Sequence, residues 1–266
     1  MSTVDVLVPT YRRPAALAAT LATVASQDVE GLRVVVSDQS EEPEAGVAGE
    51  ARAVLRLLAA RGHAVELHRH LPRRGLAEQR QFLLSRARAP FALFLDDDVL
   101  LDPDLLARML AAIRAEGCGF VGSAVIGLSF ADDVRPGEQD IEFWEGPVVP
   151  EEVRPGDPSW GRHRLHNAAN LWHVQRRLGI TADRQRLYKV AWVGGCVLYD
   201  VEKLRSVGGY SFWTELPTDH CGEDVLAQLR VMARFGGCAL IPSGAFHQEL
   251  ATTVPVRDAD APLLLG

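Results

Sequence analysis

The chain has little cysteine, and what it has is scattered. Cys118, Cys196, Cys221 and Cys238 include no pair at Cys-x-x-Cys spacing, which argues against a zinc ribbon or a thiol redox motif. No run reaches the roughly 18 apolar residues of a bilayer-spanning helix. The opening MSTVDVLVPT lacks a basic stretch leading into a long apolar run, so no secretory signal is expected there. A cytoplasmic, reducing setting is the resulting expectation, with peripheral membrane contact left open. No Gly-x-x-x-x-Gly-Lys-Ser/Thr motif occurs, which argues against a nucleoside triphosphatase. Positive charge is short as well. A formal net charge of −7 and a pI near 5.6 count against non-specific nucleic-acid binding as the main task.

What is present points to a packed domain. Hydrophobic residues make up 47% and charged residues 24% of the 266 positions, enough for a core and too few charges for disorder. The length suits one large α/β domain, or one such domain with an insertion. Arginine far outnumbers lysine. A guanidinium grips phosphate oxygens in pairs, so a local basic pocket is compatible with the acidic total. A GC-rich coding bias explains the same excess.

Residues 1–127 alternate short apolar runs with segments of helical period. Val4 to Val8 reads as a strand closed by Pro9, and Pro14 suits the first turn of a helix bearing Leu17, Leu21 and Val24. Strands are expected again at Arg33 to Ser37, Ala64 to Leu67, Phe91 to Leu95 and Phe120 to Ile126. Helices are expected at Ala51 to Ala60, Leu76 to Arg86 and after Pro103, and a charged loop at 41–49. This alternation implies crossover units and a mostly parallel sheet, whose ligands bind beyond the carboxyl ends of the strands. Pro9-Thr10-Tyr11, Asp38 and the acidic turn at Asp96 all fall at such ends. The pattern breaks from Leu128, and residues 128–189 read as an insertion rich in Pro, Gly, Trp, His and Arg, too long for an idle connector. Residues 190–250 resume with a strand from Trp192 to Tyr199, short helical stretches and a strand at Ala239 to Ile241. Residues 251–266 form a tail expected to be loose after Thr253.

The strongest chemical signal is FALFLDDDV, a buried strand that delivers Asp96, Asp97 and Asp98 into one turn. Unpaired, these carboxylates repel one another, and a divalent cation resolves the repulsion. Mg²⁺ or Mn²⁺ suits oxygen ligands and keeps positions for substrate phosphates. A solvated acidic loop is the plain alternative. Glu223-Asp224, at an expected helix start, serves either as a cap or as a general base for a hydroxyl. His247, after a late strand, is either a surface histidine or a metal ligand.

The ordered set VPTYRRP, VVVSDQS, RRGLAEQRQFLLSRA, FLDDDVLLDPDLL, WVGGCVLYD and GEDVLAQLR, followed by a late histidine, resembles the family 2 inverting glycosyltransferases of the GT-A fold. The resemblance covers about residues 3–127 and 190–248. It implies a nucleotide pocket lined by Pro9, Thr10, Tyr11 and Arg12, with Asp38 accepting a hydrogen bond from the base. Arg74 and Arg80 would lie near the ribose or diphosphate, with Asp96 and Asp97 on the donor side. Asp98 would bind the metal, with Asp96 in its shell and His247 beside it. Gly194 and Gly195 would let backbone approach the donor sugar or acceptor. Asp224 would be the general base, with Glu223 orienting the acceptor or sharing that role.

The implied reaction is a metal-assisted, single in-line displacement. It moves a sugar from a nucleotide-diphosphate donor, UDP-linked by preference but with guanine and thymine open, to an acceptor hydroxyl. The acceptor is a small molecule, a glycan or a lipid-linked species. The segment Gln-x-x-Arg-Trp of processive synthases is absent. Two other readings compete. A sugar-phosphate nucleotidyltransferase would open with a Gly-rich loop where VPTYRRP stands, and a catalytically silent binding protein would not need Asp96, Asp98, Glu223 and Asp224 together. In the insertion, Trp144, Trp160 and Trp172 suit either sugar stacking or a core, and Arg162, Arg164, Arg176, Arg177, Arg184 and Arg186 suggest an anionic acceptor. His166, Asn170 and His173 would share one helical face.

Overall fold

A computed structural model describes residues 2–42, 46–254 and 257–266. The middle of the expected 41–49 loop and part of the tail therefore lie outside the described residues.

Strands β1 (Val4–Thr10), β2 (Leu32–Asp38), β3 (Ala64–Arg69) and β4 (Phe91–Leu95) are linked by helices α1 (Pro14–Val24), α2 (Gly49–Ala60) and α3 (Leu76–Arg86). β1 pairs in parallel with β2 and β4, and β2 with β3. Buried on both faces, β1 sends Val4, Val6 and Val8 into one core layer and Leu7 into the other. The charged, half-exposed β3 closes the edge, where charge discourages further pairing.

The second half adds β5 (Val99–Leu101), α4 (Leu105–Glu116), β6 (Phe120–Gly122), α5 (Asn170–Leu178), β7 (Arg186–Tyr188), β8 (Cys196–Asp200), α6 (Val201–Ser206), α7 (Glu223–Phe235), β9 (Gly237–Ile241), β10 (Ala245–His247) and α8 (Ala261–Leu265). The main sheet runs β3-β2-β1-β4-β8-β6-β9-β7, and β10 with β5 forms a separate two-stranded sheet. β8 is antiparallel to both β4 and β6, and β7 to β9. The mostly parallel α/β architecture agrees with the alternation in the sequence.

Several boundaries move. The strand expected through Ile126 stops at Gly122, because Ser123 turns its amide to Cys196 and its hydroxyl to Ser243. The strand expected from Trp192 begins only at Cys196, since Gly195 takes φ +76 and interrupts the extended path. Neither β5 nor β10 was expected. Their antiparallel register sets His247 opposite Val99, one residue past the acidic turn.

The insertion is built in. It holds 3-10 segments and α5, and it buries Leu165, Leu171 and Val174 against Tyr188 and the sheet. The shared helical face does not form, because His166 ends the Pro158–His166 3-10 segment instead of joining α5. Its Nε2 meets the Tyr188 hydroxyl at 3.0 Å, and burial pushes its pKa down to about 4. Half of the arginine cluster is committed locally: Arg162 pairs with Glu142 and Glu151, Arg186 with Glu145, and Arg177 with Gln139. The tail is not loose throughout. Cys221 and residues 259–261 exchange backbone hydrogen bonds, and Ala261 is fully buried where α8 meets α7.

Candidate active site

The carboxyl ends of β1 and β4 open into a cavity of about 610 Å³. Pro9, Thr10, Tyr11, Arg80, Asp96, Asp97, Asp98, Gly194, Glu223, Asp224 and His247 all line it. Four of the sequence-derived candidates do not line it. Arg12 has φ +55, which turns it outward to Glu41 and Glu42. Its neighbour Arg13 takes the inward position instead. Arg74 is exposed, and Arg73 lines the cavity over the Tyr11 ring at 4.7 Å. Asp38 spends both carboxylate oxygens on the amides of Ser40 and Val47, so it ties down its own loop. Gly195 lies behind the wall, where its carbonyl accepts the Asp96 amide at 2.9 Å.

The three aspartates of the turn have different surroundings. Asp97 is buried; it accepts from the Thr10 hydroxyl at 2.6 Å and from Arg13 at 3.3 Å, while its carbonyl accepts from Thr20. It therefore pins β1 and α1 to the turn. Burial, with Asp98 nearby, pushes its pKa up to about 6 against the pull of Thr10 and Arg13. Asp98, only 6% exposed, accepts from Arg13 at 2.6 Å. Burial and then Asp96 raise its pKa, offset in part by His247 and Arg13. Asp96 is 38% exposed and turns toward Arg80 at 2.9 Å.

Arg80, 4% exposed, joins the two acidic elements of the site. Its Nε donates to Glu223 at 3.0 Å and its Nη2 to Asp96. Burial opposes its charge, but Asp96 and Glu223 outweigh that and hold its pKa well above the ordinary value. Asp224 pairs with no cation among the described residues; its Oδ1 accepts only the Val225 amide at 2.9 Å. It is partly exposed and borders the cavity. Burial, then Glu223, push its pKa up to about 7, with Arg80 pulling the other way. The two neighbours at the start of α7 are thus chemically unequal.

Sequence reasoning missed several lining residues. His220 donates from Nδ1 to the Pro217 carbonyl and accepts the Ala77 amide at Nε2, 3.1 Å away. It thereby caps α3, whose own N-cap, Gly75, has no side chain to do so. Trp192 lines the cavity beside Trp160, one of the insertion aromatics weighed for sugar stacking, and Leu250 borders it together with Thr252 and Arg257 of the tail. Cys221 lines it as well and is not buried. Nothing local in YRRP distinguishes Arg13 from Arg12; the positive φ of Arg12 decides it.

His247 faces Asp98, its Nε2 lying 3.7 Å from Asp98 Oδ2. Its Nδ1 accepts the Glu249 amide at 2.6 Å, so in this arrangement the ring proton sits on Nε2. Among the described residues no group of three or more His, Cys, Asp or Glu is arranged to hold a metal ion. Also among them, no helix is long and apolar enough to cross a membrane.

The fold is of the GT-A type. The model of glycosyl transferase family 2 matches residues 5–164, more than half of the chain, and the chain belongs to that family. It is 31% identical over 182 residues to the succinoglycan biosynthesis protein ExoM of Rhizobium meliloti (strain 1021), a match covering 65% of this chain. The match takes in 52% of that relative, so the chain corresponds to about half its length. A mannosyltransferase from Pyrobaculum calidifontis, solved with GDP-Man and Mn²⁺, superposes with a TM-score of 0.58 at 17% identity, covering 95% of this chain and 58% of that one. S. aureus TarS 1-349 with UDP-GlcNAc superposes with a TM-score of 0.56 at 15% identity, covering 96% and 60%. At such identities the likeness establishes the fold.

Proposed function

We propose that the chain transfers a glycosyl group from a nucleoside-diphosphate sugar to an acceptor hydroxyl with inversion, using Asp224 as general base. The inequality of Glu223 and Asp224 carries this reading. Arg80 engages Glu223, whereas Asp224 stands free on the cavity wall with a pKa near 7. A base acts best when its pKa lies near the working pH. The likeness to folds solved with GDP-Man and with UDP-GlcNAc supports a nucleotide-sugar donor, with UDP favoured. Asp224 takes the hydroxyl proton as the acceptor oxygen attacks the anomeric carbon. Arg80 occupies Glu223 and ties the start of α7 to Asp96. Arg13 and Arg73 offer cations for the diphosphate. A cytoplasmic site of action belongs to the same reading.

The residues fit a divalent metal in part. Asp98 and Asp96 supply hard oxygens in one turn, and burial, then the charge of Asp96, raise the Asp98 pKa. Mg²⁺ and Mn²⁺ are often held by one or two carboxylates together with substrate phosphates, so a two-carboxylate site is adequate. His247 would join through Nε2 only by giving up the Glu249 amide, because that bond keeps the ring proton on Nε2. Bound there, the metal would neutralise charge developing on the leaving diphosphate.

The test is thermal stability with UDP, GDP and dTDP, each with and without Mn²⁺, on wild type and Asp98→Ala. One nucleotide should stabilise the wild type in a metal-dependent way and lose that effect in the variant. No stabilisation of the wild type by any of the three would sink the reading.

A further inference from the structure

The wall that carries Asp224 also carries an aromatic surface that the donor chemistry does not use. Gln228 lies one turn beyond Asp224 on α7 and is fully buried. Its amide clamps the Val193 backbone in both directions, accepting from the Val193 amide and donating to its carbonyl, each at 2.8 Å. Trp192 is therefore held beside the helix that presents Asp224.

His163 stacks on Trp192 with centroids 4.7 Å apart and planes 13° from parallel. Trp160 lies 4.5 Å from Trp192 at 46°, and His163 and Trp160 are 6.3 Å apart. These separations set His163 and Trp160 nearly at right angles about Trp192. One face of the indole is backed by imidazole, its flank is closed by Trp160, and among the described residues no ring stacks on the other face. Both tryptophans are half-buried and line the cavity. His163 Nδ1 bonds the Trp160 carbonyl at 2.7 Å, which fixes the two insertion residues relative to each other.

We propose that Trp192, flanked by Trp160 and backed by His163, is the acceptor subsite, and that the acceptor group bound there is a pyranose ring. The proposal rests on the glycosyltransferase reading for the word acceptor, and on its own geometry for the sugar. A pyranose has an apolar C–H face that covers an indole and a rim of hydroxyls that needs polar neighbours. Asp224, Glu223 and Arg257 line the same cavity and offer them. A lipid tail would need a continuous apolar groove, and this mixed lining does not provide one. The insertion, through Trp160 and His163, then shapes acceptor choice.

The experiment is saturation-transfer NMR on the full chain with methyl β-D-glucopyranoside, methyl β-D-galactopyranoside and n-hexanol, using wild type, Trp192→Phe, Trp192→Ala and Trp160→Ala. Thermal melting establishes which variants are folded. Wild type should saturate the ring C–H protons of at least one pyranoside. Trp192→Ala should weaken that binding about tenfold, the scale of one lost aromatic contact, while Trp192→Phe keeps most of it. Should Trp192→Ala not fold, Trp160→Ala and the Phe variant decide, with weakened and retained binding expected respectively. Unchanged pyranoside binding in the alanine variants, or wild-type binding of hexanol alone or of neither sugar, overturns the proposal. UDP-dependent melting of the wild type, read in parallel, reports separately on the donor reading.

Discussion

The two ends of β1 and β4 carry carboxylates in opposite conditions. At the amino-terminal end, Asp5 is fully buried and completely satisfied: Arg33 grips both its oxygens at 2.8 and 2.6 Å, and the amides of Arg88 and Ala89 donate to it. Its pKa is held below the usual range, because these partners outweigh the cost of burial. At the carboxyl-terminal end, burial and mutual repulsion raise Asp97, Asp98 and Asp224. The first end stabilises the fold. The second retains charge that is only partly compensated, the condition expected where a cation, a diphosphate or a proton is to be received.

Substitutions at the two ends should therefore separate function from stability. Asp224→Asn should lower transfer by about 10²–10⁴-fold, the usual contribution of a general base, while the melting temperature holds or rises. Steady-state transfer and calorimetry check this, and a large loss of stability would break the comparison. Asp5→Ala should do the reverse and cost about 3–5 kcal/mol in denaturant unfolding, because it leaves Arg33 buried without its main partner. Asp98→Ala should abolish most of the nucleotide- and Mn²⁺-dependent stabilisation, about 2.7 kcal/mol at a ligand excess of one hundred times Kd.

The pH dependence of the metal-free protein should sharpen the contrast. Asp97 and Asp224 bind protons more tightly folded than unfolded, so stability should fall as pH rises from about 4 through about 7. Asp5 works in the opposite sense, contributing stability above its unfolded pKa that is lost on acidification. Asp224→Asn should flatten the fall toward neutral pH, and unfolding titrations at several pH values read it out. The smallest effect concerns the paired glycines. Gly194→Ala has open space and should change stability by less than about 0.5 kcal/mol. Gly195→Ala, at φ +76 and 2.9 Å from Val125 Cγ2, should cost about 1–2 kcal/mol. Equal melting temperatures would refute that distinction.

Much of the fold was legible because it is periodic. The runs at Val4, Leu32 and Phe91 are apolar on both faces, and only inner parallel strands demand that. The acidic turn was legible because three adjacent carboxylates need a reason. β5 and β10 were not, because three-residue strands leave no period and exist only through their mutual pairing. Arg12 and Arg13 show the same limit at the level of one residue. A positive φ exchanges their directions, and nothing local in YRRP announces it.

The sequence by itself determined the α/β alternation, the strand ends that bear the site, the acidic turn and the Glu-Asp start of α7, since each is a matter of local pattern. Only the tertiary structure decided which arginine enters the cavity, that Arg80 takes Glu223 and leaves Asp224 free, that His247 meets Asp98, and that Trp192 stands beside α7. Those outcomes depend on contacts between residues up to about 150 positions apart, such as Arg80 with Glu223 and Asp98 with His247, which local propensity cannot encode.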